Sequence, residues 1–133
     1  MDYAVLDTNV ASLSVKGEMP ASLNVRLMGF TPLVTFITVG ELNKWAEMRS
    51  WGQRRRGALD HWLSQRPIID SNEDVSRLWG QLAAAAERRG RPRPENDTWI
   101  AACCLAEGLP LATRNVKDFA DFADHEGLTL LTN

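Results

Sequence analysis

Short apolar runs alternate along this chain with stretches of helical periodicity, and several of the runs stop abruptly on a polar residue. That alternation constrains the fold more than any other feature. The run YAVL (3–6) reads as a buried strand and ends at Asp7. LVTFIT (33–38) is rich in β-branched and aromatic residues and reads as a second strand. LPLAT (109–113) and LTLL (128–131) read as the third and the last, with Pro67-Ile68-Ile69 as a short extended segment. Helices are expected between them. One spans 20–28, with Pro20 in its first turn and Gly29 closing it. One starts near Val39, sets Leu42, Trp45 and Ala46 on one face, and is interrupted near Gly52. Leu59, Trp62 and Leu63 repeat the i, i+3, i+4 spacing. The clearest helix spans 72–89, with a stripe of Val75, Leu78, Trp79, Leu82, Ala83 and Ala86. Another starts at about Asn96 or Asp97 and stops at Gly108, and a short one covers 116–123. Strands separated by helices imply an α/β sandwich with a mostly parallel sheet. The length suits one domain over residues 1–133.

Ligands of such sheets bind beyond the carboxyl ends of the strands. Four polar motifs fall at those places. Asp7-Thr8-Asn9 follows the first strand and Thr113-Arg114-Asn115 ends the third. Glu41 lies on the first turn of the helix after the second strand, and Asn96-Asp97-Thr98 opens a helix. Buried charge is costly unless it is paired or holds a metal. Carboxylates gathered in one cleft repel by about 4 kcal/mol per close pair at an effective dielectric near 20, and a divalent cation removes that conflict. Carboxylate oxygens are hard ligands, so magnesium or manganese is expected. His61 and His125 join no metal-like spacing. An oxygen cage suits phosphoryl chemistry, in which the metal activates water and neutralises the scissile phosphate. Asp7 and Asp97 then read as direct ligands, and Glu41 completes the set or positions the water. Thr8, Asn9 and Thr113 orient the carboxylates or contact the phosphate. Taken singly, each motif has an ordinary explanation: Asp97 as a helix cap or first-turn charge, Asp7-Thr8-Asn9 as a turn, Glu41 as a first-turn acid.

A net charge of −2 does not by itself suggest nucleic acid. Its distribution says more. Arg49, Arg54, Arg55, Arg56 and Arg66 cluster with Asp60 the only acid between them, and Arg88, Arg89, Arg91 and Arg93 form a second basic run. Acids gather later, at Asp118, Asp121, Asp124 and Glu126. A basic rim around an acidic centre suits a phosphate backbone; two solvated helix ends are the plainer reading. Cys103 and Cys104 are adjacent and match no zinc or CxxC spacing, so core packing in a cytosolic protein is expected. The N-terminal MDYAVLD has neither the basic nor the apolar region of a signal peptide. No apolar run approaches the ~20 residues of a membrane span. A stripe of Trp45, Trp62 and Trp79 suits a core better than a base-stacking surface.

YAVLDTN at the start, ITVGEL near residue 40, ENDTWIAA near residue 97 and LATRNVKDF before the C-terminus occur together in one order. In that order and approximate spacing the chain resembles the PIN-domain ribonucleases, and more closely the VapC toxins of type II toxin–antitoxin pairs. The resemblance spans the whole chain; the combination is specific, although no single piece is. It implies a compact α/β/α sandwich around a parallel sheet. It implies metal-dependent endonucleolytic cleavage of structured RNA such as tRNA or rRNA, inhibiting translation and growth. It matches Asp7, Glu41 and Asp97 to three acids that hold Mg2+, with Mn2+ as a substitute. RNA contacts are then expected from Thr8, Asn9, Thr113, Arg114, Arg54, Arg55 and Arg56. It also implies a VapB-like antitoxin laid into the active-site groove and a homodimer joining two clefts. The apolar helices around Leu23, Leu27 and Trp45 are candidate interface material.

The chain departs from this pattern at Asn115, where many members have Asp. Asn ligates only through a neutral carbonyl, so one negative charge is lost. Asp118, three residues on, either supplies it or is a surface acid of its helix. Two other activities fit the same residues: an RNA-processing nuclease without an antitoxin, and a non-catalytic module binding RNA or protein.

Overall fold

Parallel strands need crossovers, and helices supply every one in the computed structural model, which describes residues 2–133. The sheet contains β1 (Asp2–Leu6), β2 (Phe30–Thr35), β3 (Ile68–Ile69), β4 (Leu111–Ala112) and β5 (Leu130–Leu131). Its order is β3-β2-β1-β4-β5 and every pairing is parallel. Helices α1 (Thr8–Lys16) and α2 (Ala21–Arg26) join β1 to β2; α3 (Phe36–Met48) and α4 (Gln53–Ser64) join β2 to β3. Helices α5 (Glu73–Arg88) and α6 (Glu95–Glu107) lead to β4, and α7 (Val116–Glu126) leads to β5.

The pleat sorts the apolar side chains into two cores. Val5, Leu33 and Leu111 stand in register and pack with Val75 and Leu82 of α5, Ile100 of α6, and Phe119 and Phe122 of α7. The alternate positions Leu6, Val34, Ala112 and Leu131 pack with Val10, Leu23, Leu42 and Leu59 from α1 to α4. The result is the α/β/α sandwich expected from the sequence. β1 lies at its centre. The chain first builds outward to β3 on one side, then returns to place β4 on the other. The carboxyl ends of β1 and β4 therefore flank the point where strand order reverses.

Several local expectations need correction. Asp7-Thr8-Asn9 is not a free turn, because Asp7 caps α1. β2 runs three residues earlier than the apolar run suggested. Thr35 ends it and caps α3, its hydroxyl accepting the Thr38 N–H at 3.3 Å. Glu41 consequently lies on the second turn of α3, not the first. Helix α2 is shorter than expected, since Pro20 is its N-cap and a turn at Leu27 to Gly29 follows, with Gly29 at φ +85°. The tryptophans form no single stripe: Trp45 and Trp62 pack in one core and Trp79 in the other, where it stacks on Trp99 at 5.0 Å between ring centroids. Leu23 is fully buried and so is core material, not interface. Cys103 and Cys104 are fully buried as expected, and burial pushes the Cys103 thiol up to about 12 and Cys104 well above its ordinary value. Neither is a nucleophile at neutral pH.

Candidate metal and phosphate site

Asp7 leaves the sheet at the carboxyl end of β1. Its Oδ1 accepts the Val10 N–H at 2.8 Å, satisfying one of the free donors at the start of α1. Its Oδ2 accepts the Thr113 hydroxyl at 2.5 Å, a contact across 106 positions that exists because β4 pairs with β1. Thr113 Oγ1 in turn accepts the Asn115 N–H at 2.9 Å. A hydroxyl has one proton to give. Thr113 gives it to Asp7, so both carboxylate oxygens are held from beneath.

Glu41 is held in the same manner. The Thr8 hydroxyl donates to Glu41 Oε1 at 2.7 Å and lies 2.9 Å from Thr38 Oγ1. With its proton committed to the carboxylate, Thr8 accepts from Thr38. Each acid thus rests on a buried threonine at the end of another element.

Asp7, Thr8, Asn9, Glu41, Asp97, Asn115 and Asp118 border one cavity of about 100 Å³, closed by Trp45, Ile100 and Phe119. Four helices and two strand ends bring these residues together. The electrostatics report their proximity. Asp97, half-buried in the first turn of α6, has its carboxyl pushed up to about 6, by burial first and then by Asp118, Glu41 and Asp7. The Arg93 guanidinium offsets part of this. Burial also raises Asp7, and Glu41 and Asp118 add to it, while the Thr113 and Val10 hydrogen bonds pull the other way.

Among the described residues, no three acid, histidine or cysteine side chains stand close enough together to enclose an ion. Glu41 leans on Thr8, and Asp7 is tied to Val10 and Thr113, so the carboxylates line the cavity without converging on one point. The donor set itself fits a hard divalent cation. Its ligating atoms are oxygens, from four carboxylates and the side-chain amides of Asn9 and Asn115, and the mutual repulsion felt at Asp97 is the kind a cation relieves.

The residues expected to meet RNA divide. Asn9 and Arg114 are exposed beside the cavity. Thr113 is fully buried, and Thr8 nearly so, and their hydroxyls are committed to Asp7 and Glu41. They orient carboxylates and cannot contact a phosphate as well. Arg56 is a further correction. It donates to the Trp51 carbonyl at 2.8 Å, to the Ala46 carbonyl at 3.0 Å and to Glu47 at 3.0 Å, which spends its guanidinium on the end of α3. Arg54 and Arg55 line a different hollow near α4, with Arg55 over the Trp51 ring. In the second basic run Arg89 pairs with Asp121 at 2.6 Å and joins α5 to α7.

Two further cations stand beside the acids: Arg49, already placed in the first basic cluster, and Lys16, absent from the expected set. Lys16 and Arg49 line a groove of about 460 Å³ with Trp45 and Arg114, and Asn9 and Asn115 belong to both the groove and the acid cavity. Lys16 is the last residue of α1. The sequence signal for it lay in the caps of that helix: Asp7 before it and Gly17, at φ +71°, after it.

Residues 4–125 match the PIN domain family. Over 117 residues the chain is 30% identical to Ribonuclease VapC2 of Haemophilus influenzae, covering 86% of this chain and 88% of that protein. Over 117 residues it is 26% identical to the tRNA(fMet)-specific endonuclease VapC of Salmonella typhimurium, with 86% and 88% covered. In three dimensions it is similar to a chain in the crystal structure of VapBC2 from Rickettsia felis bound to a DNA fragment from their promoter. That likeness has a TM-score of 0.82 and 26% identity, and covers 100% of this chain and 99% of the other. Among the described residues, no helix is long and apolar enough to cross a membrane.

Proposed function

The chain belongs to the PIN-domain family, in its VapC branch, and on that premise we propose that it is a divalent-metal-dependent endoribonuclease acting as the toxin of a type II toxin–antitoxin pair. The observation that carries this reading is the meeting of Asp7, Glu41, Asp97 and Asp118 around one small cavity where the strand order reverses. In this reading Asp7, Glu41 and Asp97 hold Mg2+, or Mn2+ in its place, and Asp118 supplies the charge that Asn115 lacks. The ion, when bound, supplies an acidified water and positive charge against the scissile phosphate. The chain does the rest. Thr113 and the Val10 N–H fix Asp7, and Thr8 fixes Glu41, so two of the acids are preorganised and need little reordering on binding. Arg114 and Lys16 offset the charge of an approaching RNA backbone.

The reading extends to substrate and partner. The substrate class is structured RNA, tRNA or rRNA, consistent with the tRNA-specific relative. The partner is a VapB-like antitoxin that covers the acidic cavity, the chain acts in the cytoplasm as one PIN domain, and the functional unit is a homodimer. Growth on induction tests the activity. Induced expression of the natural chain should arrest a bacterial host, and Asp97→Asn expressed at equal level should not. Arrest of equal depth by both would remove the carboxylates from the activity.

A further inference from the structure

The groove beside the acid cavity has a charge pattern of its own. Three cations line it, Lys16, Arg49 and Arg114, and no acid does. Among the described residues none of the three joins a salt bridge, although Arg56, Arg77 and Arg89 do. Like charges left together without a counter-ion are a site for an anion. The groove is also aromatic. Trp45, half-buried, forms part of the wall of both the groove and the acid cavity, and the Arg49 guanidinium lies over its ring at 4.9 Å from the centroid. A planar cation already stacks on this face, so the face accepts a flat group, and a base can take that place once the exposed Arg49 side chain swings aside. At about 460 Å³ the groove is within the range of sites that take ligands of nucleotide size, about 300–1,000 Å³.

A ring face flanked by unpaired cations is how proteins hold single-stranded nucleic acid: the base stacks and the backbone phosphates are neutralised. A base inside a duplex cannot reach such a face, because it is already stacked. We propose that this groove is the subsite for one unpaired nucleotide next to the scissile phosphate. Its base stacks on Trp45 in the place of the Arg49 guanidinium, and Lys16, Arg49 and Arg114 hold the adjoining phosphates. Cleavage is thereby directed to unpaired positions in a folded RNA. This inference rests on the nuclease reading and names its substrate geometry. It also separates Trp45 from Trp62: Trp62 is a core residue whose indole N–H is satisfied by Ser14 at 3.0 Å, whereas Trp45 has a solvent-facing duty.

The test uses the full chain carrying Asp97→Asn, so that RNA is bound without being cut, and a labelled single-stranded RNA of about ten nucleotides followed by fluorescence anisotropy. Trp45→Leu should weaken binding roughly 10-fold, and Trp45→Phe should restore most of it. An abasic site moved along the RNA should find one position that costs the Trp45 chain a similar factor and costs the Trp45→Leu chain almost nothing. Replacing Lys16, Arg49 and Arg114 by Gln should flatten the dependence of log K on log[salt] by about 2, near 0.7 per lost phosphate contact. Circular dichroism of each variant checks that it is folded. Unchanged affinity in Trp45→Leu, or no abasic position distinguishing the two chains, overturns the stacking subsite. An unchanged salt slope overturns the phosphate contacts. If the natural chain cuts RNA while these variants bind as their parent does, the subsite fails and the nuclease reading survives. If no RNA binds to any of them, both fall.

Discussion

Asp97 shows how a single side chain is unsettled by its neighbours. Its carboxyl, half-buried and facing three other acids, is pushed up to about 6 from 3.8. A raised folded-state value means the native chain holds its proton longer than the unfolded chain does. Stability from this group is therefore complete below about pH 4, falls as pH rises toward about 6, and stays lowered above it. Asp97→Asn removes the penalty. Its melting temperature should exceed that of the natural chain at pH 7.5 and match it near pH 4, read as variant minus natural at each pH. Equal differences at both values would mean that the four acids do not repel one another in the folded chain. The variant would be steadier and inactive, as is common when a charged site is dismantled. Asp118 permits a second residue-level test. If it fills the place of the missing fourth acid, Asp118→Asn should slow RNA cleavage about 10-fold or more, and adding Asn115→Asp should restore it. Full activity in Asp118→Asn would make it an ordinary first-turn acid of α7.

At the scale of elements, caps and arginines decide more than apolar periodicity does. The stripe on α5 was legible because Val75, Leu82 and Ala86 recur on one face and all are buried, and the Asn72 side chain caps the helix at Val75 N–H, 2.9 Å. Helix α1 was not legible from periodicity. It has nine residues, a polar start and buried Thr8 and Ser12, and only its two caps announce it. The end of β2 was misplaced because Phe36 and Ile37 have strong strand preference, yet Thr35 caps a helix that begins with them. Arg56 was read as a surface charge because a sequence does not reveal which backbone carbonyls lie within reach. Its contacts with the Ala46 and Trp51 carbonyls predict that Arg56→Ala lowers stability by about 1–2 kcal/mol in denaturant melts. The salt dependence of RNA binding should not change in that variant. A flattened salt slope with unchanged stability would return Arg56 to the RNA-facing surface.

The whole molecule is where sequence reasoning stopped short. Each acid could be placed at the end of an element, and strand–helix alternation gave the layers. Neither gave the strand order, and it is the order β3-β2-β1-β4-β5 that sets Thr113 under Asp7 and brings Asn115 and Asp118 to the cavity that Asp97 also borders. Such convergence depends on pairings between residues more than a hundred positions apart, and no local pattern encodes those. A divalent ion bound among these acids stabilises the fold by mass action, about 2.7 kcal/mol at a hundred times its Kd. Saturating Mg2+ or Mn2+ should accordingly raise Tm by several degrees in the natural chain, and by little in Asp97→Asn. Equal rises in both would place the ion elsewhere. The most direct measurement is cleavage of total cellular RNA by the purified chain, free of any antitoxin, with Mg2+, with Mn2+ and with EDTA, beside Asp97→Asn. Discrete fragments that require the metal and Asp97 are the predicted result. Intact RNA from the folded natural chain in both metals, or fragments that persist in EDTA or in Asp97→Asn, would contradict a metal-dependent nuclease centred on these carboxylates.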